Sequence, residues 1–518
     1  MSKHIASAAV VFLAILVAYF TQQPSQQSPT QQVSGRNNTA LFLVSDGHGL
    51  HNVHMATIQA LRENHPEVEI HVASWAPVDK KVKRLHNKAT FHPLNGPSFF
   101  GAGLRAMAAS GATDITAGIM DPGLGGFAKF SQFVQLYISP WLNEEHFALF
   151  EESVSLLESV DPAVVVLDYF MWPAISAARE KNRLHAFVTP NMLADTFAFE
   201  QPWFQGYWKY PPWGSMMPFP IPWKDIPYNV WNAIKARKVL SRTPYQQAKR
   251  EYLEGRGVKS AGSSMNFHGA KSGPDTPWIT QTLLGGSFPL TRMPTNVTCT
   301  GPILIESAPA GEQDPELTAW LSRAPTILIN LGSLISFDEQ RAVAFAQALV
   351  SLLDDRTDLQ VLWKYVKAGD YSEESFRAIA EKHTTSDRFR IVTWLEADPI
   401  AILETGNIVA FVHHGGAGSY HEALHAGVPH VVLPLWVDHY NIAALVSYLN
   451  IGMIGCQEST PQWTSECLAS SITSVIDESG KSKVIRDNSK RLGRISKASP
   501  GRVGAAKVIA DLAAIGHA

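Results

Sequence analysis

Cysteine is scarce in this chain. Three residues in 518, Cys299, Cys456 and Cys467, are too few and too scattered for a disulfide framework or a zinc site, and are expected as buried thiols. Positive charge is not in surplus either. Lysine and arginine number 43 against 46 aspartates and glutamates, a net charge of -3, which removes the electrostatic case for a nucleic-acid partner. No Asp-x-Asp pair occurs, so that carboxylate arrangement for a divalent metal is missing, and no metal or resident cofactor is expected. After the first twenty residues there is no long apolar run, so the bulk of the chain reads as soluble. What is there is ordinary for globular protein: 45% hydrophobic and 17% charged residues, over a length that exceeds one core and calls for two large domains.

The exception among apolar runs lies at the start. Ile5 to Phe20 is nearly unbroken, preceded by Lys3 and followed by the polar stretch Thr21 to Gln32. Sixteen such residues are long for a signal-peptide core and short for a comfortable span. No small-x-small cleavage site follows Ala18, so a retained anchor is favoured over a cleaved peptide. Residues 1–22 are expected as signal anchor or signal peptide, and 23–39 as polar linker. No cation follows Lys3 until Arg36, so the positive-inside rule places the N-terminus in the cytosol and the remainder in the lumen. The expected location is membrane-associated, in the endoplasmic reticulum or secretory pathway. The sequons Asn37-Asn-Thr39 and Asn296-Val-Thr298 would then meet the glycosylation machinery.

From about Ala40 the sequence alternates. Leu41 to Ser45, Val68 to Ser74, Val164 to Leu167 and His185 to Thr189 read as buried strands, with helical patterns ending near Asn64 and Arg179. Residues 199–232 interrupt with tryptophan, tyrosine, proline and methionine. A Pro- and acid-containing stretch, 303–316, reads as a linker between a domain of 40–302 and one of 317–518. Beyond it the rhythm returns in Thr326 to Asn330, Val361 to Tyr365, Arg390 to Thr393, Ile408 to Val412 and His430 to Pro434. Two doubly wound α/β domains follow, with ligands expected at the carboxyl ends of strands and between the domains.

The stretch Trp394 to His439 is the most informative. The strand Ile408 to Val412 runs into His413-His-Gly-Gly-Ala-Gly-Ser419, which is expected to open a helix at Tyr420. Glycines allow close backbone approach, and the free amides of a helix N-terminus favour an anion. A plain strand-to-helix turn would use the same residues, with Ser419 and Glu422 as a capping box.

Trp394, Leu403, Phe411, His414, Gly416, Ser419, Glu422, Gly427-Val-Pro429, Pro434 and Asp438 resemble the donor-binding signature of the family-1 UDP-glycosyltransferases, the fungal members in particular, with two extra residues between Trp394 and Leu403 relative to the commonest plant form. The resemblance extends to Asn330-Leu-Gly-Ser333, Pro294 to Val297 and Val68 to Ser74. It implies the glycosyltransferase-B fold, two facing Rossmann-like domains, and inverting transfer of a hexose from a UDP-sugar to a hydroxyl of a lipophilic small molecule. On that resemblance Trp394 stacks on uracil and Glu422 takes the ribose hydroxyls. His414, Gly416, Ala417, Gly418 and Ser419 hold the diphosphate with Gly332 and Ser333 beside it, and Asp438 and His439 bind the sugar. The signature usually ends Asp-Gln; here it ends Asp-His, as in several relatives that look like galactose users.

The resemblance is weaker at the catalytic base. Relatives carry Gly-His-x-x-Pro after the first strand, whereas this chain reads Asp46-Gly-His-Gly-Leu-His-Asn-Val-His54, with Leu50 at the position of the base. An imidazole of ordinary pKa suits general-base work. His51 is favoured over His48, with Asp168 expected to orient it and stabilise its protonated form. The acceptor oxygen would then displace the diphosphate in one inverting step, the helix dipole balancing the leaving charge. The aromatic segment Pro202 to Trp231 is open to three readings: acceptor wall or lid, membrane contact, or loop packing. Two other functions stay open, a sugar-nucleotide 2-epimerase and a non-catalytic membrane-tethered nucleotide-sugar-binding protein.

Overall fold

Among the described residues, thirteen strands build two all-parallel sheets. In this computed structural model, which describes residues 32–84, 89–112, 115–241, 243–261 and 276–517, the first sheet holds seven strands. They are β1 (Arg36–Leu43), β2 (Glu69–Ser74), β3 (Thr90–Pro93), β4 (Pro162–Asp168), β5 (His185–Thr189), β6 (Trp278–Thr280) and β7 (Val297–Cys299), in the order β3-β2-β1-β4-β5-β6-β7. The second holds six: β8 (Thr326–Ile329), β9 (Gln360–Lys364), β10 (Phe389–Val392), β11 (Ile408–His413), β12 (His430–Val432) and β13 (Gly452–Ile454), in the order β10-β9-β8-β11-β12-β13. Strands covered on both faces read as continuous apolar runs rather than alternating ones. All seven residues of β4 are buried, as are the four of β8. Each order reverses once, between β1 and β4 and between β8 and β11. Those two points are where an open parallel sheet leaves a crevice for a ligand.

Seven helices matter to the site: α1 (His48–Asn64), α2 (Ala76–Arg84), α3 (Leu193–Phe197), α4 (Ile226–Ser241), α5 (Ala417–Ala426), α6 (Val437–Leu449) and α7 (Gly501–Ala513). Helix α1 follows β1 directly, turns Val53, Ile58 and Leu61 onto the sheet, and ends at His65 before Pro66, which cannot continue it. The two domains also share apolar packing. Met192, Tyr210, Phe219, Leu283 and Phe288 of the first pack in one cluster with Tyr420, Leu424 and Ile442 of the second. The Tyr420 hydroxyl adds a 2.8 Å bond to the Gly286 carbonyl.

Several expectations change. The polar linker ends earlier than 39, because Arg36 to Thr39 already pair in β1; the anchor segment 1–22 lies outside the described residues. The stretch 303–316 contains a short helix, Ala310–Gln313, with Ala310 buried. Helix α7, placed by its position in the chain with the second domain, instead packs on α1 and β1 of the first. Its buried face is small, Gly501, Ala505, Ala506, Ile509, Ala510 and Ala513, which permits the close approach. A Cβ on Gly501 would collide with the Gly301 carbonyl. Cys456 and Cys467 are joined as a disulfide rather than standing as buried thiols, and only Cys299 is free. Among the described residues no helix is long and apolar enough to cross a membrane.

Candidate active site

The β8 and β11 turns face each other across the second sheet's reversal. Gly332, with φ +84°, lets the β8 turn double back, and a Cβ there would lie 2.7 Å from the His414 ring. One on Gly416 would strike the same imidazole. His414 therefore lies between two backbones that only glycine allows so near. Helix α5 opens at Ala417, three residues earlier than expected, with Gly416 as its N-cap and no capping side-chain bond. Ser419 is thus inside the helix and not a capping-box residue. The first-turn amides of α5 are left without a side-chain acceptor, the condition under which a helix start takes an anion.

Beneath the turn, His413 accepts a bond from the Gly415 amide at 3.1 Å through Nδ1. Its Nε2 therefore carries the proton and donates to His430 Nδ1 at 3.0 Å. This buried pair fixes the glycine turn from below. His414 is pushed down to about 4, by burial and then by the charge of Lys364, so it is a neutral hydrogen-bonding group at physiological pH. Ser333 is exposed at the tip of the β8 turn, and Trp394 is 63% exposed, an indole face open to stack on a flat ligand. Glu422 and Asp438 keep part of their surface open to the cleft but lie deep enough for burial to dominate. Glu422 rises to about 7, with Asp398 adding and Lys81 opposing, and Asp438 rises to about 6. His439 is less open than expected of a sugar contact. Its ring is packed 4.6 Å from that of His414 and 4.7 Å from Trp436, centroid to centroid, and its Nδ1 is enclosed without a partner.

In the first domain the structure separates the expected catalytic pair. Asp168, at the end of β4, accepts from the Ser45 amide at 3.1 Å, from the Ser45 hydroxyl, and from the Phe170 amide at 2.9 Å. Neither histidine bonds to it. Burial raises its pKa while those bonds oppose. Those bonds tie it to Ser45, and with it to the turn that launches α1. His51 is 2% exposed, with both ring nitrogens enclosed and no hydrogen-bond partner. Burial, then the Lys81 charge, lowers it to about 2, with the Asp46 backbone opposing. His48 instead stands exposed in the first turn of α1. Accessibility reverses the expected order of the two histidines, and neither has an ordinary pKa, since His48 is also lowered by burial and by Lys81.

Three residues of the cleft were not anticipated. Lys364, at the end of β9, donates to the Gly332 carbonyl at 3.1 Å and lies 5.0 Å from the Trp394 ring centre. A lysine closing an apolar strand is a signal that could have found it. Lys81 of α2 donates to Asn52 at 2.7 Å, sits 3.3 Å from His48 Nδ1, and is brought down to about 8 by burial, with Asp398 and Glu422 opposing. Nothing in its Lys-rich helix singles it out. Asp195 of α3 accepts a 2.7 Å bond from Asn441 of α6, and in sequence looks like any acid in a first helical turn.

Known proteins resemble this chain in sequence and in fold. A model of the erythromycin biosynthesis protein CIII-like C-terminal domain matches residues 377–512. Glycosyltransferase sdnJ of Sordaria araneosa is 34% identical over 439 residues, covering 82% of this chain and 84% of that protein. This chain belongs to the family-1 UDP-glycosyltransferases. The 2-hydroxyacylsphingosine 1-beta-galactosyltransferase of Mus musculus is 27% identical over 181 residues, 34% of this chain and 29% of that one. The crystal structure of a UDP-glucose:anthocyanidin 3-O-glucosyltransferase in complex with UDP matches with a TM-score of 0.56 over 93% of this chain and 100% of its own, at 15% identity. That likeness establishes the glycosyltransferase-B fold for this member of the family.

Proposed function

We propose that this glycosyltransferase moves a hexose from a UDP-hexose to a hydroxyl of a lipophilic small molecule in one inverting displacement. The observation that carries the reading is the meeting of Gly332, His414 and Gly416 at the uncapped start of α5, with an exposed Trp394 beside it. The diphosphate would rest on the amides of Gly416 to Ser419 and on His414. Uracil would stack on Trp394, the ribose would bond Glu422, and the hexose would meet Asp438. His48, the accessible imidazole, takes the acceptor proton as the acceptor oxygen bonds the anomeric carbon and the bond to the diphosphate breaks. The electron pair leaves with UDP, and its charge is met by the α5 amides, without a metal or other cofactor.

The acceptor side is apolar. Met120, Phe127, Phe130 and Trp213 line a small cavity with Asp121 and Asn232, and a Cβ on neighbouring Gly214 would touch the start of α6 at Val437. Trp203 and Trp223 stand 77% and 87% exposed, which supports membrane association, as does the apolar run Ile5 to Phe20 in the sequence. Asp438-His439 and the similarity to a galactosyltransferase make galactose and glucose the two donors to compete.

The test is incubation with labelled UDP-glucose and UDP-galactose, in chelator, with a mixed panel of sterol, terpenoid, polyketide, phenolic and sphingoid acceptors, read by mass spectrometry. A glycosylated acceptor of inverted configuration is expected. A free epimerised nucleotide sugar would establish the 2-epimerase instead. Donor binding with neither transfer nor hydrolysis would mean a tethered binding protein.

A further inference from the structure

We propose that Asp195, supplied by the first domain, completes the hexose subsite beside Asp438 and determines which hexose is accepted. The inference rests on the UDP-hexose reading of the site. It starts from the chain after β5. Met192, Leu193, Ala194 and Phe197 all bury apolar side chains, and Asp195 is the partly open residue between them. Its carboxylate takes the Asn441 Nδ2 proton at 2.7 Å. Asn441 lies three residues after Asp438, so both project from one face of α6.

The contact is held firmly. The Met120 amide donates to the Leu435 carbonyl at 3.0 Å, the Tyr440 hydroxyl donates to the Met120 carbonyl, and Val437 and Tyr440 pack in the first domain's core. Start of α6 and first domain thus form one wall, with Asp438 close enough to raise the cost of ionising Asp195. Burial, with Asp438 adding and the Asn441 and Trp213 hydrogen bonds opposing, pushes Asp195 up to about 7.

What converges there is rich in acceptor oxygens, with the Asn441 amide and the Trp213 indole already donating to Asp195. Two carboxylates are joined by the Asn441 Oδ1, which is buried without a partner in a residue 1% exposed. Among the described residues no cluster suited to a metal exists. Such a set calls for neutral donors, and hexose hydroxyls are donors that a bare nucleoside diphosphate does not bring. A hydroxyl turned from equatorial to axial would leave one carboxylate unmet, which is how a polar site separates epimers.

The experiment measures UDP, UDP-glucose and UDP-galactose binding by calorimetry on the full chain and on D195N and D195A. The asparagine variant keeps an oxygen to accept from Asn441, so it changes charge while sparing the wall. The expected result is UDP affinity within about twofold of wild type, with the UDP-glucose to UDP-galactose preference shifted at least about fivefold in both variants. An unchanged preference with UDP binding intact overturns the role of Asp195 alone. Loss of UDP binding in D195N also overturns it, by showing a structural residue. Wild-type protein that binds no UDP overturns the underlying reading and this one with it.

Discussion

The two sheet reversals do the same mechanical job with opposite materials. At β8/β11 the cleft-facing surface is backbone: Gly332 and Gly416 press on one imidazole, and α5 starts without a cap. At β1/β4 it is side chain: Asp168 grips Ser45, and the turn it steadies presents His48 while burying His51. Backbone sites depend on glycine at fixed spacing, so they leave a firm trace in sequence. Side-chain sites depend on which of several similar residues the helix turns outward, and an α-helix rotates each residue by more than a quarter turn.

That contrast can be broken most sharply at the base. His48→Ala should cut kcat on the order of 100-fold or more while UDP affinity is unchanged, because general-base catalysis is typically worth 10²–10⁴. His51→Ala should chiefly lower Tm through a core cavity. A His51→Ala enzyme of normal Tm and no turnover, beside an active His48→Ala, would refute the accessibility argument. Asp168→Asn should also lower kcat, by less, since it loosens the turn and removes no reacting group.

On the backbone side, Gly332→Val should reduce UDP affinity on the order of 100-fold, because strain at positive φ of ~1–3 kcal/mol adds to collision with His414. Near-native affinity by calorimetry would show that the glycine is not needed. Trp394→Ala should weaken UDP by about 1–3 kcal/mol, the worth of one base stacked on one aromatic ring. Equal affinities for wild type and variant would detach uracil from this indole.

The smallest effect joins the two regions. Lys81 touches the His48 turn and faces Glu422 across the cleft, and its charge is the second cause, after burial, of the lowered His48 pKa. Removing that charge raises the pKa. The acid limb of kcat/KM against pH should therefore move to higher pH in Lys81→Met, by less than ~1 unit, since burial remains. A limb that stays still or moves to lower pH would show that Lys81 does not tune His48.

Much of the architecture was legible in residues alone. Continuous apolar runs marked the strands of both sheets, and the spacing of Trp394, His414, Gly416, Glu422 and Asp438 marked the second domain's reversal. The short strands β3, β6, β7 and β13 were not read, being three or four residues set among loops. Helix α7 was assigned to the wrong domain because its small-residue face names no partner until Gly301 lies against it.

What the sequence by itself determined is local and periodic: where most of the buried strands run and where glycine must stand. Those follow from sterics and burial within a few residues of the chain. Tertiary structure alone decided which histidine is open, that Asp168 holds a serine rather than an imidazole, that Lys364 reaches the Gly332 carbonyl, and that Asp195 meets Asn441 across 246 residues. The reason is physical. Exposure, ionisation and hydrogen-bond partnership belong to the surroundings of a group, and those surroundings are assembled from distant parts of the chain.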